Sequence, residues 1–193
     1  MVEKDEIRDQ IVEASRQIFS RFGFRKTTME EIAQAVKKGK SSIYYYFQSK
    51  EDIYKAVIEK EATLIRDELT DAISNAANPA DKLKAYVGTR MRTFQAMVNF
   101  YEAIKNEYLT HLDFINKVRE KYDREEIQMV ESVLKDGIIR NEFTLNDTEL
   151  AAIAIVTAMK GLEIPLFMNK NQPNLDERID HLLNVLFYGI IKR

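Results

Sequence analysis

Cysteine and tryptophan are absent from this chain of 193 residues, which holds only two histidines, three prolines and six glycines. Without cysteine there is no disulfide, no thiolate zinc site and no thiol nucleophile, a composition that suits a reducing cytoplasm. His111 and His181 lie far apart in the chain, so no metal cluster and no cofactor are expected. The six glycines are never closer than 16 positions, which excludes a phosphate-cradling glycine loop. Neither a nucleophile elbow nor an HExxH motif occurs, and carboxylate pairs such as Glu125-Glu126 are ordinary on exposed helices, so an enzyme is not expected. The longest apolar run, Leu150 to Met159, is too short to span a bilayer. The opening MVEKDEIRDQ lacks the apolar stretch of a signal peptide, and these absences predict a cytoplasmic protein with no membrane partner.

Sustained β alternation is also missing, whereas helix signals recur. Asn78-Pro79 with Asp81, Asn146 with Glu149, and Asn174 with Glu177 each mark a helix start. Val87, Met91, Phe94 and Val98, then Met97, Tyr101, Ile104 and Tyr108, form apolar stripes at helical spacing. A further helix is expected from about Leu112 to Lys135, with Gly137 just past its end. The pattern predicts an all-α fold of about nine helices.

Charge is unevenly divided. Residues 1–50 hold ten Lys/Arg against seven Asp/Glu, while residues 51–193 hold 19 against 24. The basic share surrounds the most informative stretch, Thr27 to Asp52, and supports an anion-facing module there.

Within that stretch the local signals agree. Thr28 and Glu31 form a capping-box pattern ahead of Ile32, Ala33 and Val36, so a short helix starts there. On a wheel of about 100° per residue, Gly39 to Phe47 places Ile43 and Phe47 on one side, with Ser41 and Tyr45 opposite. Ser42 and Tyr44 flank the outer face, and Tyr46 belongs mostly to the core. Lys40 lies near the apolar edge and would have to extend its stem past it to reach a phosphate. Ser49 caps the next helix, and Glu51 and Asp52 suit its positive end. Lys50 does not suit that end unless an anion sits beside it, and a helix N-terminus is itself a phosphate site. Taken singly, these tyrosines are ordinary amphipathic surface and these lysines a solvated face. Together, two short helices, a polar outer face and a basic ring read as a helix-turn-helix and favour DNA binding over a small buried helical hairpin.

The run from Phe24 through Asp52, with Thr27-Thr28, Ile32-Ala33, Lys40, Ile43-Tyr44-Tyr45, Phe47 and Ser49-Lys50-Glu51-Asp52, resembles the N-terminal DNA-binding domain of the tetracycline-repressor (TetR) family. The preceding stripe of Ile7, Ile11, Ala14, Ile18 and Phe22, ended by Gly23-Phe24, fits the same family. The resemblance covers about the first quarter of the chain. It implies a transcriptional regulator, usually a repressor, that binds a palindromic operator in double-stranded DNA as a homodimer. A small-molecule effector in a second, helical domain would release it. Position by position, Thr28 resembles the phosphate contact at the start of the second helix. Lys40, Ser41, Ser42, Tyr44 and Tyr45 resemble recognition-helix contacts, and Lys50 the phosphate-binding lysine of the fourth helix. Where the family commonly carries Gly, an apolar residue and Ser or Thr, this chain has Lys37, Lys38 and Gly39. Lys38 joins the DNA-binding set because the extra turn lysines raise non-specific phosphate affinity. The residue permissive for positive φ has moved to Gly39, which predicts a reshaped turn.

Two domains are expected: the helix-turn-helix over residues 1–50, and a ligand-binding and dimerisation domain over residues 51–193. Aromatic and methionine stripes are usually core, and the sharper reading lines a largely apolar effector pocket with Phe94, Met97, Tyr101, Tyr108, Tyr122 and Met129. Glu102, Asn106 and His111 are the candidate polar partners there. A small-residue face of Leu150, Ala154, Thr157 and Gly161, with Leu182, Leu183, Leu186, Phe187 and Ile190 on a helix apolar nearly all round, predicts a dimer interface. Pro165 predicts a kink or helix end. The competing reading is a helical interaction or small-molecule-binding protein whose helix-turn-helix does not act on DNA.

Overall fold

The computed structural model describes residues 2–96, 99, 113–167, 177, 181 and 183–185. Its helices are α1 Val2–Phe22, α2 Met29–Ala35, α3 Lys40–Tyr46, α4 Lys50–Ser74, α5 Pro79–Ala96, α6 Asp113–Ile139 and α7 Thr148–Phe167. No strand occurs among the described residues, so the fold is all-α. They form two compact units, Met1–Leu64 with Met97–Arg119, and Ile65–Ala96 with Glu120–Arg193.

In the first unit Ile11, Phe19, Phe24, Ile32, Ile43, Phe47, Ile53, Tyr54 and Val57 are buried. The Tyr54 ring meets Phe19 edge-on at 5.1 Å and lies 4.7 Å from Phe24. The buried face of α1 differs from the expected stripe. Ile11, Val12, Ser15 and Phe19 point inward, whereas Phe22 is 53% exposed and Ile7, Ala14 and Ile18 are half-buried. The face is rotated by roughly a quarter turn, so that Ser15, polar in sequence, is buried on it, while Arg8 stays exposed at its edge. Arg8 lays its guanidinium over the Phe47 ring at 4.9 Å. A buried polar cluster closes this unit: Asn99 Nδ2 donates to the Glu61 carboxylate at 2.7 Å and to the Arg16 carbonyl at 3.0 Å, while the Tyr54 hydroxyl donates to the Asn99 carbonyl at 3.2 Å. Such donors make the burial of the Glu61 charge tolerable.

The second unit packs Leu69, Leu83, Tyr86, Val87, Met91, Val130, Val133, Leu134, Ala152, Val156, Met159 and Leu183 into one core. Each such aliphatic side chain contributes about 1.5–3 kcal/mol by leaving water. Asn78 caps α5 as expected, accepting from the Asp81 N–H at 2.8 Å. The cap of α7 is Asp147, whose carboxylate accepts from the Leu150 N–H at 2.9 Å, one residue past the expected Asn146. Helix α6 runs beyond Gly137 to Ile139, and its left-handed terminator is Asn141 at φ 58°. There the Asn141 N–H donates to the Ile138 carbonyl and the Glu142 N–H to the Gly137 carbonyl. Gly137 serves packing instead, since a Cβ there would lie 2.0 Å from Phe143 Cδ2. Helix α7 includes Pro165 and is described to Phe167, and the cap expected at Asn174 lies outside the described residues.

Candidate nucleic-acid interface

Helix α2 begins with a complete capping box. Thr28 Oγ1 accepts from the Glu31 N–H at 3.3 Å, and the Glu31 carboxylate accepts from the Thr28 N–H at 2.8 Å and from its hydroxyl at 3.0 Å. The helix ends in a paired 6→1 and 5→2 motif: the Lys38 N–H donates to the Ala33 carbonyl at 2.9 Å and the Lys37 N–H to the Gln34 carbonyl at 3.0 Å. That motif requires a left-handed residue at its centre, and Lys37 supplies it at φ 53°. The expectation that the permissive position had moved to Gly39 is thereby corrected. Gly39 is ordinary extended backbone, φ −71° and ψ 152°, and acts as the N-cap of α3 without a side chain to close it. The two backbone bonds fix the turn, and Lys37 bears a cost of roughly 1–2 kcal/mol.

Helix α3 divides as its sequence periodicity predicts for Ile43, Phe47, Ser41 and Tyr45, whereas Tyr46, expected mostly in the core, is only half-buried and Lys40, expected near the apolar edge, is exposed. Ile43 and Phe47 are buried. Ser41 is exposed, and Tyr44 and Tyr45 are 45% and 68% exposed. Ser42 and Tyr46 are half-buried, and the Tyr45 and Tyr46 rings meet edge-on at 5.0 Å. An outer row of two hydroxyl-bearing rings and two serines therefore rests on an apolar inner row, a surface able to donate and accept at base edges or phosphates.

The cations surrounding α3 are placed less simply. Lys38 is exposed. Lys40 Nζ is paired with the Glu30 carboxylate of α2 and lies 5.8 Å from the Tyr44 ring centre. That hydrogen bond raises the pKa of Lys40 and lowers that of Glu30. Lys50 Nζ donates to the carbonyls of Phe24 and Thr27, 2.8 Å each, and sits 4.4 Å from the Phe24 ring centre. Its place at the start of α4 thus has a structural reason that needs no external anion. The Glu30 partnership was not legible in sequence, because ten positions separate it from Lys40 and only the fold brings them together.

In the second unit, Tyr122 is half-buried and Met129 packs against the core. Phe94 lies on α5, but its side chain is outside the described residues, as are Met97, Tyr101, Glu102, Asn106, Tyr108 and His111. A polar trio unread in the sequence lies in this unit: the buried Tyr86 hydroxyl donates to the half-buried Glu126 at 2.5 Å, and the buried Arg90 is ion-paired with the same carboxylate. On α7, Leu150 is 64% exposed, and Ile153, Ala154, Thr157 and Gly161 continue its exposed face. Leu183 is instead buried in its own core, and Leu182, Leu186, Phe187 and Ile190 lie outside the described residues. Among the described residues no three metal-ligating side chains converge, and no helix is long and apolar enough to cross a membrane.

The family model for bacterial regulatory proteins of the tetR family matches residues 11–57, from within α1 to within α4. The HTH-type transcriptional regulator QacR of Staphylococcus aureus is 21% identical over 179 residues, covering 90% of each chain. A transcriptional regulator of the TetR/AcrR family from Thermobifida fusca shares the fold with a TM-score of 0.80 at 20% identity, over 97% of this chain and 100% of that one. The transcriptional regulator FadR of Bacillus subtilis, in complex with stearoyl-CoA, does so with a TM-score of 0.72 at 21% identity, over 94% and 98%. With the family match lying on the helix-turn-helix and the likeness extending over nearly the whole chain, this chain is a TetR-family transcriptional regulator.

Proposed function

We propose that the protein is a cytoplasmic repressor that binds a palindromic operator as a homodimer and leaves it when a small, largely apolar effector occupies its regulatory domain. The observation carrying this reading is the outer face of α3, where Ser41, Tyr44 and Tyr45 point outward from the buried Ile43 and Phe47. We assign residues 1–50 to DNA binding and residues 51–193 to effector binding and dimerisation. Thr28, Lys38 and Lys50 are the proposed phosphate contacts, with Lys50 bracing the domain at the same time, while Lys40, paired with Glu30, belongs to the recognition surface.

The dimer is proposed through the exposed face of α7. Gly161 costs its helix about 1 kcal/mol relative to alanine. Among the described residues a Cβ there would meet nothing within 4 Å, so their packing does not call for the glycine. Close approach of a second copy gives it a role. The apolar character of the effector is supported by FadR, which shares this fold and is in complex with stearoyl-CoA, a molecule with a long acyl chain. Effector binding would favour a state whose recognition helices no longer match major grooves about 34 Å apart. A coupling of about 1–3 kcal/mol changes operator affinity roughly 5- to 150-fold, with no catalytic step. A helical interaction protein that ignores DNA is not favoured, since relatives matched over most of the chain are transcriptional regulators.

The test is binding to DNA from the upstream region of its own gene across a salt series. A steep slope with retention against competitor DNA supports the reading, and no binding at low salt overturns it. Tyr45→Ala with Lys40→Ala should abolish specific retention while leaving the oligomeric state unchanged.

A further inference from the structure

Glu30 sits in the first turn of α2, where a carboxylate suits the helix N-terminus, and its ion pair with Lys40 also holds it beside the proposed reading helix. Glu30 is exposed, lies on α2 and is joined to Lys40, the first residue of α3, while the Lys40 ammonium also lies 5.8 Å from the exposed Tyr44 ring. At neutral pH the exposed carboxylate is ionised and therefore able only to accept hydrogen bonds. The pair presents little net charge, so it adds little to the sequence-independent attraction that dominates non-specific binding. What it offers is one fixed acceptor beside one donor. In the major groove, donors to a carboxylate are the exocyclic amines of the bases, with cytosine N4 its usual partner, whereas the neighbouring guanine edge offers only the acceptors that lysine fits.

We propose that Glu30 is a specificity-determining residue that accepts a hydrogen bond from cytosine N4 in each operator half-site, with Lys40 positioning it. Where guanine or thymine replaces that cytosine the carboxylate meets an acceptor edge, which penalises incorrect DNA. This rests on α3 being the DNA-reading helix.

Selection of duplexes from a randomised pool by the full-length protein tests it. The wild type should select a consensus with one cytosine per half-site that Glu30→Ala no longer requires, the rest of the consensus being kept. Replacing that cytosine should cost the wild type at least about five-fold in affinity and Glu30→Ala almost nothing. Glu30→Ala should also bind random duplex more tightly, whereas Glu142→Ala, the same charge change at an exposed site of the other unit, should not. An unchanged consensus in Glu30→Ala overturns the assignment but leaves DNA reading intact. Failure of the wild type to select any consensus overturns both.

Discussion

Lys50 Nζ donates to the backbone carbonyl of Thr27 at 2.8 Å, tying the start of α4 to the segment that enters α2. With the matching bond to Phe24, this lysine is a strut of the DNA-binding unit whether or not DNA is present. Lys50→Met should lower stability by about 1–3 kcal/mol, because it leaves two carbonyls without their charged donor. Urea denaturation without DNA measures this. A side chain acting only on phosphate would leave the midpoint unchanged.

The left-handed Lys37 invites the opposite change. Lys37→Gly should raise stability by about 1 kcal/mol, since glycine adopts the φ of 53° without the steric cost of a Cβ. Thermal unfolding should show a higher midpoint. A lower one would mean that the lysine side chain contributes more than its backbone costs.

Gly137 should tolerate nothing larger. Gly137→Ala places a methyl 2.0 Å from the Phe143 ring and should cost about 1–3 kcal/mol. In a Phe143→Ala background the same change should cost far less, and equal costs in both backgrounds would exclude the clash as the cause.

Glu13 gives the first unit an acid-sensitive joint. Hydrogen bonds from Arg16 and then Lys60 lower its pKa from 4.5 to about 2, linking α1 to α4. A depressed folded-state pKa means that the stabilisation is fully present above about pH 4.5 and is lost as pH falls towards 2. Its carboxylate is 38% exposed, so screening reduces the contribution to about 1 kcal/mol. Glu13→Gln should flatten the stability profile between these pH values and change little at low pH. An identical profile in the variant would remove Glu13 from the acid response.

The α7 face yields a test of assembly. Thr157 is exposed, so Thr157→Arg should leave the fold intact and shift sedimentation towards the monomer. A variant that sediments as the wild type would place the dimer contact elsewhere.

What the sequence determined by itself was local. The Thr28 and Asn78 caps and the inner and outer rows of α3 follow from side-chain chemistry and a 3.6-residue period, so a few neighbouring residues carry the information. The TetR motif was legible for the same reason. Tertiary structure decided the rest. It rotated the buried face of α1 onto Val12 and Ser15, placed the left-handed residue at Lys37, moved Gly137 from a helix end to the bed of the Phe143 ring, and gave Lys40 and Lys50 partners distant in sequence. Each outcome depends on which surfaces and carbonyls meet after the helices pack, and the spacing of residues along one helix carries no record of what arrives opposite it.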